Sequence, residues 1–224
     1  MNTNTSTSIN NIVYDDMIID KNKLESIVDN NDFKNINLVR IFGKGPSFKN
    51  IEKIDKDNEF HIGINQTVNI LTDVDMLVIN DLENIYSIHE DKLKNLKYIL
   101  TPEYLHINQR FNINGYFVNV YEYLKKKKFT GKYIVYNLGT NRNPNPNYIT
   151  LPSALTSSNS ALDFVCIFLN KYIKNIEFYG VGLSGINYHK LFTGNGTYNI
   201  NRIHKISNHI KKTCELYKIN YVMK

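Results

Sequence analysis

The chain has 224 residues, 42% hydrophobic and 21% charged, with a formal net charge of +6 and two cysteines. That length buries a core without disulfides or metal, and the composition is that of a globular domain. Secreted disulfide scaffolds, collagen-like or coiled-coil arrays and bilayer-spanning helices are excluded, the last because no apolar run reaches about 18 residues. The positive charge comes mostly from scattered Lys in a chain rich in Asn, Ile and Tyr. Those residues have A/T-rich codons, so no specific nucleic acid is expected, and a mildly cationic surface suits an anionic small molecule. The polar N-terminus lacks the basic-then-apolar pattern of a signal peptide, and a cytoplasmic location is expected.

Residues 1–11 are Asn/Thr/Ser-rich and predict a loosely attached tail. Ile18, Ile19, Leu24, Ile27 and Val28 then recur at helical spacing. Residues 1–35 are therefore read as tail plus leading helix, and residues 36–224 as the domain. From residue 38 short β-branched or aromatic runs alternate with longer polar-amphipathic stretches, at 38–42, 60–64, 76–79, 98–100, 116–120, 133–136, 176–179 and 221–223. Near-continuous apolar runs suit strands buried on both faces, and the alternation predicts a three-layer α/β domain with a mostly parallel sheet. Residues 158–173 read as a helix capped by Ser157 or Ser158, and residues 200–217 as a second amphipathic helix. Cys166 and Cys214 fall in these apolar segments and read as small core residues. The Pro/Asn stretch 141–147 reads as a connector, with an active-site loop as the alternative.

The strongest motif is Gly43-Lys44-Gly45-Pro46-Ser47, directly after the first predicted strand. A glycine loop between a strand and a following helix lets backbone N–H groups approach phosphate or ribose, so Gly45→Val is expected to abolish nucleotide binding and spare the fold. The motif is neither a P-loop nor a dinucleotide fingerprint, and a tight turn that binds nothing is the plain alternative. Asn65 closes the second strand and Asn80 the third, where a parallel sheet gathers ligands and where Asn offers both a donor and an acceptor. Thr156-Ser157-Ser158 opens a helix, and hydroxyls with free N–H groups there favour an anion. These three places are expected to line one pocket. Asp73-Val74-Asp75 looks like a metal-binding DxD, but it precedes its strand and reads as a solvated turn. The lysine run 125–128 reads as a solvated helix end.

These landmarks resemble the family-42 glycosyltransferases, the bacterial sialyltransferases. Gly43-Lys44-Gly45-Pro46-Ser47 is similar to that family's Gly-x-Gly-Pro-Ser loop, Asn65-Gln66 to its Asn-Gln, Asn80 to its Asn after strand three, and Thr156-Ser157 to its Thr-Ser pair. Gly180-Val181-Gly182 resembles its Gly-containing strand end, Tyr188 falls near a tyrosine of the following loop, and residues 215–220 resemble its last helix-to-strand passage. The resemblance runs from about residue 38 to the end of the chain. It implies a Rossmann-like sheet that binds a CMP-sialic acid-like nucleotide sugar without metal or other cofactor. Gly43, Gly45 and Asn65, with Pro46 and Ser47 of the same loop, would face the donor. Asn80 would lie near the donor sugar, Thr156, Ser157 and Ser158 near the cytidine, and Tyr188 would hold the phosphate leaving group. A histidine before the final helix would act as general base on the acceptor hydroxyl, ordinary work for a side chain that titrates near neutrality.

An ungapped alignment puts Asn201 in the base position; a small gap restores His204, with His189 in reserve. Small or apolar Ser153, Ala154 and Leu155 replace the family's acceptor-linked Arg. The same glycine loop occurs in the related 6-hydroxymethylpterin diphosphokinase-like family, which would use ATP and Mg²⁺ with Asp81 and Glu83 as the carboxylates. A non-catalytic nucleotide-binding module of the same fold is the third reading. The expected partners are a nucleotide-sugar donor and a glycan or small-molecule acceptor, and the pattern leaves room for an oligomer.

Overall fold

The computed structural model describes residues 17–29, 33–103, 110–152, 156–181, 188–192 and 200–224. Strand β1 (Ile18–Ile19) leads into helix α1 (Lys21–Asp29), then β2 (Leu38–Phe42), β3 (Glu59–Ile64) and β4 (Met76–Val78). Helix α2 (Glu90–Asn95) precedes β5 (Tyr98–Pro102). A hairpin of β6 (Arg110–Ile113) and β7 (Tyr116–Asn119) runs into α3 (Val120–Lys126). Then come β8 (Lys132–Leu138), β9 (Ile149–Leu151), α4 (Ser157–Phe164), a π-helical turn over Val165–Leu169, β10 (Asn175–Tyr179), α5 (Ile200–Tyr217) and β11 (Asn220–Met223).

Nine of these strands form one parallel sheet in the order β1-β8-β5-β4-β3-β2-β10-β11, with β9 also on β8. Helices cover both faces, giving a three-layer, Rossmann-like α/β domain. Alternation along each strand sorts the layers. Val39, Ile41, Phe60, Ile62, Ile176 and Phe178 face one way, into a core shared with Leu24 of α1, Ala161 and Leu162 of α4, and Ile206 and Ile210 of α5. Leu77, Ile99, Tyr133 and Val135 face the other way, onto Leu93 of α2, Val120 and Leu124 of α3, and Phe111 of the hairpin. The strand order reverses at β2, whose neighbours are β3 on one side and β10 on the other. Such a switch point opens a crevice at the carboxyl ends of the strands.

Several expectations change. Ile18 and Ile19 pair with Tyr133 and Ile134 of β8 and do not begin the leading helix, so the leading segment joins the sheet. The 116–120 run forms an antiparallel hairpin apart from the main sheet, because its partner is the short, half-polar β6. β9 and β6 were not expected; at three and four residues they are too short to show a period. No helix follows the glycine loop: residues 43–58 cross from β2 to β3 in turns and bends. The helix expected over 158–173 is α-helical to Phe164 and widens to a π-helix through Leu169; its N-cap is Thr156, whose hydroxyl accepts from Asn159 N–H. α5 spans the predicted 200–217. Both cysteines are free and buried; the hydrogen bond to Cys214 and burial push the Cys166 thiol up. Asp75 is not in a solvated turn. It is buried, accepting from His61 N–H at 2.9 Å, and pairs with Lys53 at 2.5 Å and Lys97 at 3.0 Å.

Candidate functional site

Because the sheet is parallel, β2, β3, β4, β5, β8 and β10 all present their carboxyl ends on one edge. The glycine loop leaves β2 there, Asn65 follows β3 and Asn80 follows β4. α4 precedes β10, packs across β2, β3 and β4, and brings its N-terminus to the same edge. Asn80 backbone N–H donates to Ser157 Oγ at 3.0 Å, and Asn80 Nδ2 lies 3.4 Å from Ser160 Oγ. Residues 77 apart in sequence are thus joined directly.

Tyr136 of β8 completes this cluster. Its hydroxyl donates to Asn80 Oδ1 at 3.0 Å and lies 2.9 Å from Ser160 Oγ. That contact fixes which way the Asn80 amide points. Burial pushes the phenol up, so it remains a proton donor at neutral pH. Thr156 Oγ1 donates to Asn159 Oδ1 at 2.8 Å and lies 2.8 Å from Ser158 Oγ. Two buried polar atoms here lack protein partners: Asn159 Nδ2 and Asn65 Oδ1. Asn65 also adopts a left-handed backbone, with φ 52°. A buried, unpaired amide atom is costly, and Asn takes the left-handed backbone more readily than most residues.

The glycine loop is built differently from the expectation. Gly43 N–H donates to Tyr179 O and Gly45 N–H to Gly180 O, each at 2.8 Å. These donors are spent on the β10 side and do not face a ligand. A Cβ on Gly43 would fall 2.5 Å from Gly180 O, and one on Gly45 2.7 Å from the same atom. The glycines allow two backbones to touch, and Ser47 Oγ tightens the join by accepting from Gly180 N–H at 3.1 Å. Gly45→Val would therefore disturb the β2–β10 join and not spare the fold. Pro46 is exposed at the loop tip and carries no N–H.

Lys44, to which the sequence pattern assigned no role, is the one charged side chain of the 43–47 loop. It is half-buried, with Nζ 4.3 Å over the Tyr188 ring and donating to Gln66 Oε1 at 3.1 Å. Gln66 Nε2 donates in turn to Asn84 Oδ1 at 2.8 Å and Ser87 Oγ at 3.1 Å. Burial lowers the Lys44 pKa, opposed by the charge of Asp81. Lys44 O accepts from His189 N–H at 2.7 Å, which ties residues 188–192 to the loop.

The two histidines differ. His189 packs on Phe48, ring centroids 5.7 Å apart, and its Nδ1 accepts from Leu191 N–H at 3.3 Å. His204 is exposed on the first turns of α5, with Asn201 one turn earlier, also exposed. α4 and α5 each run from the carboxyl to the amino edge, and His209 Nε2 meets Asp163 Oδ1 at 2.6 Å. Counting back five residues on both helices, about 7.5 Å of rise, brings His204 level with Ser158 at the carboxyl edge. Glu103, just past β5, is a further residue the sequence reading missed: its Oε2 is buried and unpaired.

Residues 153–155, Gly182 and the segment 193–199 lie outside the described residues. Among the described residues, no three His, Cys, Asp or Glu side chains gather into a metal site, and no helix is long and apolar enough to cross a membrane. No family model, curated protein or solved structure matches the chain.

Proposed function

We propose that this protein is a nucleotide-sugar-dependent glycosyltransferase whose donor lies across the carboxyl ends of β2, β3 and β4. The observation that carries this reading is the Asn80–Ser157–Ser160–Tyr136 cluster. It joins two of the landmarks shared with the sialyltransferase-like pattern, beside an unpaired Asn65 Oδ1. Asn65 and Asn80 meet the donor's hydroxyls, the Thr156–Ser158 turn its base, and Tyr188 its phosphate side. His204 takes the proton of the acceptor hydroxyl as that oxygen attacks the anomeric carbon and the nucleotide leaves. Its exposure and its level beside Ser158 suit a base that works on an incoming acceptor.

The test is thermal denaturation with CMP, UDP, GDP and ATP, with and without Mg²⁺, followed by donor hydrolysis. A nucleotide at 100 times its Kd stabilises by about 2.7 kcal/mol, and CMP is expected to give the largest shift without Mg²⁺. A Mg²⁺-dependent ATP shift would favour the diphosphokinase-like reading, with Asp81 and Glu83 exposed where β4 exits. His204→Ala should lower turnover by about 10²–10⁴-fold with donor affinity kept. CMP binding without hydrolysis or transfer would leave a non-catalytic nucleotide-binding module. No response to any nucleotide would overturn the reading.

A further inference from the structure

We infer that Lys44 is the cation that receives the phosphate of the bound nucleotide, an inference that rests on the donor site proposed above. Burying an ammonium costs free energy unless a counter-ion repays it. Lys44 is half-buried, yet among the described residues its Nζ has a single hydrogen-bond acceptor, the neutral Gln66 Oε1, and no carboxylate within 4 Å. Asp81 acts on it only from farther away. An ammonium has three donors, so two remain for a ligand. The side chain does not swing freely: Tyr188 lies under it at 4.3 Å and Gln66, itself held by Asn84 and Ser87, fixes its tip.

The loop's own construction points the same way. In a phosphate-binding glycine loop, backbone N–H groups do the holding. Here Gly43 and Gly45 have spent theirs on Tyr179 O and Gly180 O, and Pro46 has none. The charge that the loop can offer a phosphate is therefore in the Lys44 side chain, at the switch point where a parallel sheet takes its ligand. A phosphate oxygen placed on Nζ makes a charge-assisted bond beside the Tyr188 ring.

Titration calorimetry with each nucleotide and its nucleoside decides this: CMP against cytidine and ATP against adenosine, on wild type, Lys44→Met and Lys44→Gln. The expected result is that wild type binds the nucleotide more tightly than the nucleoside. Both variants should lose about 10–100-fold in nucleotide affinity while nucleoside affinity stays put, so the phosphate preference disappears. Melting curves identify any variant that fails to fold, and Lys44→Arg, which keeps the charge, should retain part of the preference. Variants that bind CMP and ATP as wild type does, or that lose nucleoside binding equally, would overturn the role of Lys44 alone. A wild type that binds no nucleotide would overturn the donor site, and this inference with it.

Discussion

Arg40 and Lys44 stand four positions apart in the chain, one inside β2 and one just past its end, and each is at least half-buried. Their surroundings are opposite. Arg40 is enclosed by counter-ions: Nε donates to Glu177 Oε2 at 2.8 Å and Nη1 to Glu59, with His61 Nε2 3.2 Å away. Tyr179 OH donates to the same Glu177 oxygen at 2.9 Å, and Lys224 Nζ lies 3.6 Å from the other. Lys44 has one amide oxygen and an aromatic ring. The first arrangement is complete without a ligand and belongs to the architecture. The second is incomplete in the way a binding site is. Burial of charge is therefore common to both residues, and what sets Lys44 apart is the missing counter-charge.

The largest effect that would test this contrast is the loss of Arg40. Arg40→Met takes the cation from buried Glu59 and leaves Glu177 with Tyr179 OH and Lys224, and breaking such a buried pair costs about 3–5 kcal/mol. Urea denaturation measures it, and a cost under about 1 kcal/mol would place Arg40 among ordinary surface ion pairs. Next is the join that carries the Lys44 loop. Gly180 has φ +66° and a Cβ there would fall 2.4 Å from Gly43 O. Gly180→Ala should cost about 1–3 kcal/mol from overpacking and a further ~1–2 kcal/mol from left-handed backbone. An unchanged melting curve would mean the two loops do not touch.

A smaller effect should follow pH. His61 is fully buried beside Arg40, with Nδ1–H on Asp73 O at 3.1 Å and Nε2 facing Arg40. Burial lowers its pKa; the Asp73 carbonyl opposes this, and the Lys53 and Arg40 charges add to it. The unfolded chain therefore takes up a proton first. The contribution of neutral His61 is present above about pH 6.5 and is lost as pH falls from there through the folded pKa. Urea midpoints should drop in that window, and the drop should shrink in His61→Gln; an equal drop in both proteins would assign the slope elsewhere. The smallest effect is Lys44→Met without ligand. Removing an unrepaid charge should change stability by no more than about 0.5 kcal/mol in either direction. A loss of about 2 kcal/mol or more would show that Lys44 holds the fold together, and would erase the contrast with Arg40.

Much of the sheet was legible because β2, β3, β4, β5, β8 and β10 hold apolar runs, and a parallel strand buried on both faces has that pattern; β11, at the sheet edge, is half-exposed and showed through Tyr221–Met223 alone. β1 escaped because two residues carry no period of their own, and Ile18 and Ile19 continue the helical spacing of Leu24, Ile27 and Val28. The 116–120 run was visible as a strand, but its partner is a tertiary fact that alternation does not encode. The site divides in the same way. Asn80 and Ser157 could be marked from strand and helix ends, and their contact confirms a shared edge. The glycines were found for a reason that differs from the one the structure supplies, since only the fold brings Gly180 against Gly43. Lys44 and Tyr136 were not legible as members of the candidate site. One sits in a loop and the other in an apolar strand, and each acquires its meaning from partners more than 20 residues away.

One border of the sheet is shared by two stretches of chain. Along β8, Ile18 and Ile19 cover Tyr133 and Ile134, and β9 takes over from Tyr136 to Leu138. Lys21 N–H reaches Asn147 O at 2.8 Å, so the two stretches meet where one ladder yields to the other. Among the described residues, the outermost backbone on this side is thus two short pieces of two and three residues. Neither is long enough to template another chain, and the apolar, seven-residue β8 is kept from intermolecular strand addition. Deleting the segment that holds Ile18 and Ile19 would uncover the Tyr133 and Ile134 backbone. The consequence should be measured in colloidal behaviour: concentration-dependent assembly and thioflavin-T-positive aggregates at protein levels where the full chain stays dispersed.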